Sequence, residues 1–227
     1  MEREIDLKQI SDGKLYSAND MVKASCNDCV GCSSCCQGMG KSIILDPYDI
    51  YSLEKGLSVT FEGLMEDKIE LNVVDGIIQP NLKMQGKDCC GFLNESGRCS
   101  IHEFRPGFCR MFPLGRIYED GNFRYFLQIH ECPHAGKTKV KLKKWLGIPQ
   151  LNCYEAYIKE WHYFLKDVQS IIRETENDEI IKSINMYLLN QFYVRAYNSV
   201  SNGGTADFFE QFYERLEEAR EKMNFYR

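Results

Sequence analysis

Eleven consecutive residues, Cys26-Asn-Asp-Cys29-Val-Gly-Cys32-Ser-Ser-Cys35-Cys36, carry five thiols. No other feature restricts the folding of this chain as strongly. Three of the gaps between these cysteines are two residues long, the shortest spacing at which both sulfurs of a turn converge on one metal centre. Gly, Ser, Asn and Asp are frequent in this loop; they let the backbone turn tightly and aim N–H groups at bound sulfur. A second group, Cys89, Cys90, Cys99 and Cys109, follows, with Cys132 beyond it. Ten of the eleven cysteines therefore fall between residues 26 and 132.

Disulfides are the competing use of so many thiols. They are rare in the cytosol, and a chain of 227 residues buries a sufficient core without them. The cysteine count is odd, and adjacent Cys35 and Cys36 pair only with strain. The first residues, Met1-Glu-Arg-Glu-Ile-Asp-Leu-Lys8, are charged where a secretory signal is apolar. No apolar run approaches the roughly 20 residues of a bilayer span. These features predict a cytoplasmic metal protein with no membrane contact. The net charge of −5 gives no general attraction to nucleic acid, so no such partner is expected.

Residues 1–25 read as an arm or a first strand. Asp46-Pro47 predicts a helix start, with Asp as the cap and Pro at the first helical position, running through Ile50 and Leu53 toward Gly56. A second short helix is predicted near 60–67. Asp75-Gly76 and Asp120-Gly121 each lie between strand-like runs and predict tight hairpins that need positive φ. Pro80 puts its strand at an edge. The two hairpins bracket the second cysteine group. From about 142 the period becomes helical: Tyr154, Tyr157, Ile158, Trp161, Leu165, Val168 and Ile172 mark one apolar face. Ile180, Ile181, Ile184, Tyr187, Leu188 and Phe192 mark another, with Asp178 as its N-cap. Gly203-Gly204 breaks the chain before a last helix that Thr205 caps and that runs through Phe208, Phe212 and Leu216. The expected fold is α+β: a cysteine-rich, metal-centred region over residues 1–141 with two β-hairpins, and a helical region over 142–227 packed on it.

Cys90-Gly-Phe-Leu93 and Cys99-Ser-Ile-His102 precede Arg105-Pro-Gly-Phe-Cys109-Arg110-Met-Phe-Pro113. Together with Cys29, Cys32, Cys35 and Cys36, spaced C-x2-C-x2-C-C, this stretch resembles the YkgJ-type cysteine-cluster family of zinc- or iron-chelating proteins. The resemblance covers about residues 26–136, and Cys132-Pro133 looks like the family's final cysteine. His102 stands where a tyrosine is usual and His134 where a glycine is. Cys26, Cys89 and Cys153 lie outside the pattern. Flagellin lysine methylases share this cysteine domain. The resemblance implies an iron–sulfur cluster there and a link to methyl transfer from S-adenosylmethionine.

The eight pattern cysteines suffice for one [4Fe–4S] cluster plus four other thiols, or for two four-cysteine centres. Adjacent Cys35 and Cys36 point different ways unless the backbone kinks sharply, so one binds while the other packs beside the centre or serves a second one. The preferred set is Cys29, Cys32 and either Cys35 or Cys36, with a partner from Cys90, Cys99, Cys109 and Cys132. A centre stitched from both groups makes metal binding part of folding. Zinc is the alternative, held by four thiolates at about 2.3 Å. Overlapping CxxC pairs, a vicinal pair and then more widely spaced cysteines suit iron–sulfur better than the two separated pairs of a zinc site.

Arg105 and Arg110 are candidate cofactor contacts that donate to thiolates or cluster sulfides and raise the reduction potential. They suit an anionic substrate or acidic neighbours equally well. His130 and His134 alternate with Cys132 as metal-ligand types. The lysines at 137, 139, 141, 143 and 144 read as a solvated connection. No GxGxxG or GxxxxGK[ST] supports a nucleotide site. The leading functional reading is an iron–sulfur protein acting in redox chemistry or protein modification such as methyl transfer, on an unknown protein partner or substrate. The alternatives are a zinc-stabilised protein-binding module and a metallochaperone, both without catalysis.

Overall fold

The computed structural model describes residues 6–25, 32–86, 88–134, 136–197 and 208–226. Helix α1 (Leu7–Ile10) leads into β1 (Ser11–Tyr16) and β2 (Met21–Ser25). After the cysteine loop come α2 (Pro47–Leu57), α3 (Phe61–Asp67), β3 (Ile69–Val74), β4 (Ile77–Leu82) and the short strands β5 (Met84–Gln85) and β6 (Cys89–Cys90). Then follow α4 (Gly107–Met111), β7 (Leu114–Glu119), β8 (Asn122–Gln128) and β9 (Thr138–Lys141). Helices α5 (Leu142–Leu146), α6 (Leu151–Glu174), α7 (Asp178–Leu189) and α8 (Phe208–Asn224) complete the order. Small antiparallel sheets in the first half and helices at the end make the fold α+β.

Both expected hairpins form. Val74 pairs with Ile77 across Asp75 (φ 51°) and Gly76 (φ 87°), and Glu119 pairs with Asn122 across Asp120 (φ 50°) and Gly121 (φ 72°). Two consecutive positive φ angles match the right-handed twist of the flanking strands. The early residues are less peripheral than an arm. β1 pairs with β8 to complete the three-stranded sheet β1-β8-β7, and β2 pairs with β9. Part of the lysine run therefore lies in a strand, Thr138–Lys141, with Val140 opposite Val22.

α2 begins as its sequence demands. The Asp46 side chain accepts from the Asp49 N–H at 2.9 Å, and the Asp49 carboxylate accepts from the Asp46 N–H at 3.1 Å, a reciprocal capping box. α3 starts on Thr60, which accepts from the Gly63 N–H. α7 is capped one residue earlier than expected: Asn177 accepts from the N–H groups of Glu179 and Ile180, and Asp178 is the first helical residue. The amide oxygen does the capping, while Asp178 places a carboxylate in the positive first turn. The breaker Gly203-Gly204 and the cap Thr205 lie outside the described residues.

The core is one continuous cluster, from Val22 and Leu45 through Tyr157 and Trp161 to Phe212 and Met223. α6 buries the predicted face and widens it with Phe164 and Ile171. Its Tyr157 ring meets Phe212 edge-on at 4.5 Å, and Trp161 lies 4.8 Å from Phe192. The helices also fix α2: the Tyr157 hydroxyl donates to Asp46 and accepts from the Tyr48 N–H, and the Tyr193 hydroxyl donates to the Leu45 carbonyl.

Phe192 and Tyr193 sit in a π-helical turn, Asn190–Val194, that ends α7. Such a turn leaves carbonyls without helical partners. Arg215 of α8 supplies them, donating to Gln191, Arg195 and Ala196 carbonyls while its guanidinium lies 3.7 Å from the Tyr197 ring centroid. Arg215→Met is expected to lower stability by about 2–3 kcal/mol, because buried acceptors lose charged donors. Urea denaturation checks this; an unchanged midpoint would show the carbonyls to be satisfied without it.

Candidate metal centre

The cysteine loop is tied to the second cysteine group through its backbone. A 3₁₀ turn over Ser34–Cys36 ends with Gln37 bridged to Cys89, and the Gly38 N–H donates to the Asp88 carbonyl at 2.9 Å. Gly38 makes this turn at φ 68°, where a side chain would be strained. β6 then carries Cys90 against β5, opposite Met84. Cys90 and Cys99 flank a compact loop. Leu93 bridges Cys99, the Asn94 side chain accepts from the N–H groups of Ser96 and Arg98, and Gly97 turns at φ 68°. Asn94 thus closes the loop as an Asx turn and sets the separation of the two cysteines.

Cys109 is positioned from the other side. It lies on α4, whose first N–H, that of Gly107, donates to the Asp49 carboxylate at 2.7 Å. A Cβ at position 107 would fall 2.2 Å from the Tyr154 hydroxyl oxygen, so only glycine lets α4 approach α6 this closely. Cys132 follows β8, with its carbonyl accepting from the Lys137 ammonium.

These elements surround a cavity of about 400 Å³ lined by Cys32, Cys35, Cys36, Cys90, Cys99, Cys109 and Cys132. Seven of the eight pattern cysteines thus meet there, while Cys29 lies outside the described residues, as does Cys26. Among the described residues no three metal-ligating side chains converge on one ion-sized point. The described cysteines are all free thiols. Cys153 is exposed on α6, and Cys89, His130 and His134 do not line the cavity.

A model of the CxxCxxCC family, described as "Putative zinc- or iron-chelating domain", matches residues 28–133. The matched stretch is 106 of the 227 residues, and it is similar to this family over that length. No curated protein and no solved structure matches the chain. The match supports metal binding by this stretch, and the cavity is lined by described thiols from both halves of its cysteine motif. Among the described residues no helix is long and apolar enough to cross a membrane.

Within the CxxCxxCC domain the vicinal pair does not diverge. The 3₁₀ turn brings the Cys35 and Cys36 sulfurs to 4.0 Å. The Cys36 thiol donates to Cys35, and with the nearby Arg105 charge it pulls the Cys35 thiol down to about 6, against the effect of burial. Cys36, as the donor, is pushed up. Burial also raises Cys90 and Cys99, and it raises Cys109 well above an ordinary thiol. Cys35 is therefore the most readily ionised of these thiols, while Cys36, Cys90, Cys99 and Cys109 are held protonated.

The two arginines behave differently. Arg110 donates to the carbonyls of Arg105, Gly147 and Glu103, so it ties α4 to the turns around it. Arg105 contacts the His102 imidazole through one terminal nitrogen, and its buried Nε has no hydrogen-bond partner. Arg98 and Lys144 also line the cavity, giving, among the described residues, four cationic side chains against the carboxylate of Glu103. That balance suits a centre made anionic by several thiolates. The sequence reading missed Arg98 and Lys144. The lysine run signals only solvation, and the β9–α5 junction that turns Lys144 toward the thiols is set by pairing with β2.

Proposed function

We propose that the thiol cavity holds a [4Fe–4S] cluster. The observation that carries this reading is the arrangement of the thiols: they stand around a volume of about 400 Å³ rather than closing on a point. A single zinc ion needs four sulfurs at about 2.3 Å, whereas a cubane spreads its ligands over its corners. The orphaned Nε of Arg105 and the cationic lining favour an anionic sulfur-rich group in the same place. Cys35, Cys90, Cys99 and Cys109 are the described residues best arranged to hold it. Cys36 is the thiol beside them, and Cys32 and Cys132 line the same cavity.

A bound cluster supplies one-electron transfer. The chain's own contribution is to fix its thiols from three separate segments, to hold Cys35 ready as a thiolate and to offset charge with Arg105. The resemblance to flagellin lysine methylases suggests protein modification, methyl transfer included, as a use for such a centre. Several of the lining thiols are partly exposed, which suits a centre that meets a partner or substrate.

Protein purified without oxygen is expected to contain about four iron and four sulfide per chain and to absorb near 400 nm. One or two zinc ions without sulfide would overturn the cluster reading in favour of a zinc-stabilised binding module. Metal that chelators strip readily would point instead to a metallochaperone.

A further inference from the structure

We infer that a second cavity, built around Arg116, binds a small organic monocarboxylate with an apolar body. This cavity measures about 760 Å³, within the range of small-molecule sites. It lies between β7, α2 and α6 and shares Phe112 as a wall with the thiol cavity.

Arg116 projects from β7 into this space. One terminal nitrogen donates to the Tyr154 hydroxyl at 3.0 Å, and the rings of Phe123, Tyr125 and Tyr154 lie 5.5–5.9 Å from its guanidinium carbon. The hydroxyls of Tyr118 and Tyr125 also interact with it. Its Nε is buried and has no hydrogen-bond partner. Among the described residues no carboxylate lies within ion-pair distance. Asp46, Asp49 and Glu155 attract it from further off, but Asp46 and Asp49 are committed to the α2 cap, to Tyr157 and to Gly107, and Glu155 accepts from the Tyr125 hydroxyl. A guanidinium stays charged in any protein, and an interior one with no carboxylate in direct ion-pair contact is costly. The fold retains it in a ring of tyrosines beside open space, with its buried Nε–H directed to no protein acceptor.

The surroundings narrow the class of anion. A guanidinium fork matches the two oxygens of a carboxylate. Among the described residues Arg116 is the one cation that lines the cavity, while Asp46, Asp49, Glu119 and Glu131 stand in its walls, so a phosphate dianion meets more repulsion than a monocarboxylate. Ile158, Trp161 and Leu165 face the same space and suit an apolar or aromatic body. The stacked rings of Tyr118 and His162, 3.6 Å between centroids, add a flat surface. The inference is independent of which metal fills the neighbouring cavity.

The test titrates the full chain with phenylacetate, 3-phenylpropanoate, phenylacetamide and phenyl phosphate, followed by calorimetry and by the Arg116 Nε–H resonance in nitrogen-15 spectra. At least one carboxylate is expected to bind saturably and about tenfold or more tighter than phenylacetamide and phenyl phosphate, moving that resonance. Arg116→Gln should reduce carboxylate binding to the level of the amide. Leu165→Trp, which leaves the arginine in place and fills the cavity, should weaken binding without changing the far-ultraviolet circular dichroism. Equal binding of carboxylate and amide, no saturable carboxylate binding at millimolar concentration, or an unmoved resonance would each overturn the inference. Because these readouts need no metal, they stay separate from the iron and sulfide analysis.

Discussion

Asp49→Ala is expected to destabilise the protein by about 3 kcal/mol, as the sum of two buried N–H groups left without acceptors and a lost cap interaction. Asp49 is almost fully buried, at 3 % exposure, and serves two elements at once. One oxygen accepts from the Asp46 N–H and closes the capping box of α2; the other accepts from the Gly107 N–H and anchors α4, which bears Cys109. Asp49→Asn keeps an acceptor for Gly107 and should cost only about 1 kcal/mol. Burial, then the charge of Asp46, holds the Asp49 carboxyl well above the usual carboxylate range. A raised folded pKa means that its contribution is fully present below the unfolded value of about 3.9 and is lost as pH rises through the folded value. The deficit of Asp49→Asn relative to the parent should therefore shrink between acid and neutral pH. Urea midpoints measured across that window decide the matter. A deficit that grows with pH would mean that the ionised carboxylate is the stabilising form.

Asp49 also illustrates where the sequence stops being legible. Its place three residues after Asp46 is a local pattern, and the helix start follows from it. Its bond to Gly107 spans 58 residues and leaves no local trace. The same division runs through the fold. Asp75-Gly76 and Asp120-Gly121 announce their hairpins because the turn needs positive φ at fixed positions. The pairing of β1 with β8 and of β2 with β9 depends on which distant strand offers a free edge, so residues 1–25 read only as an arm or a strand. Lys137–Lys144 reads as solvated because Lys139, Lys141 and Lys143 are exposed, although Val140 lies opposite Val22, Leu142 is buried and Lys144 lines the thiol cavity. At the site, two-residue gaps point to Cys32 and Cys35 because they are a property of the loop itself, whereas Cys90, Cys99, Cys109 and Cys132 stand out through the family resemblance. Neither finds Arg98 or Lys144, which arrive from separate turns. Arg116 is hidden for another reason: an arginine in a strand is usually a surface residue, and only tertiary packing puts this one among tyrosines.

Cys109→Ala is expected to abolish stable metal retention while costing the metal-free protein only about 1 kcal/mol. Cys109 is half-buried, and its thiol, pushed well up by burial and then by Cys90 and Asp49, is neutral without metal. In that state it behaves as a small apolar side chain whose loss leaves a modest void. On the proposed reading the same sulfur becomes a thiolate ligand when metal is present, and ligation then joins α4 to the loop after β5 and to the Cys35 turn. Binding energy of this kind is folding energy, on the order of 10 kcal/mol for a structural metal site. The parent should therefore gain stability on loading, and Cys109→Ala should gain almost none. Cys153→Ala, altered at an exposed thiol on α6, should load and gain stability as the parent does. Metal per chain and urea midpoints, measured anaerobically with and without metal, separate the cases. Full metal content in Cys109→Ala would remove this residue from the ligands and leave Cys90, Cys99 and Cys132 to complete the centre with the cysteine loop.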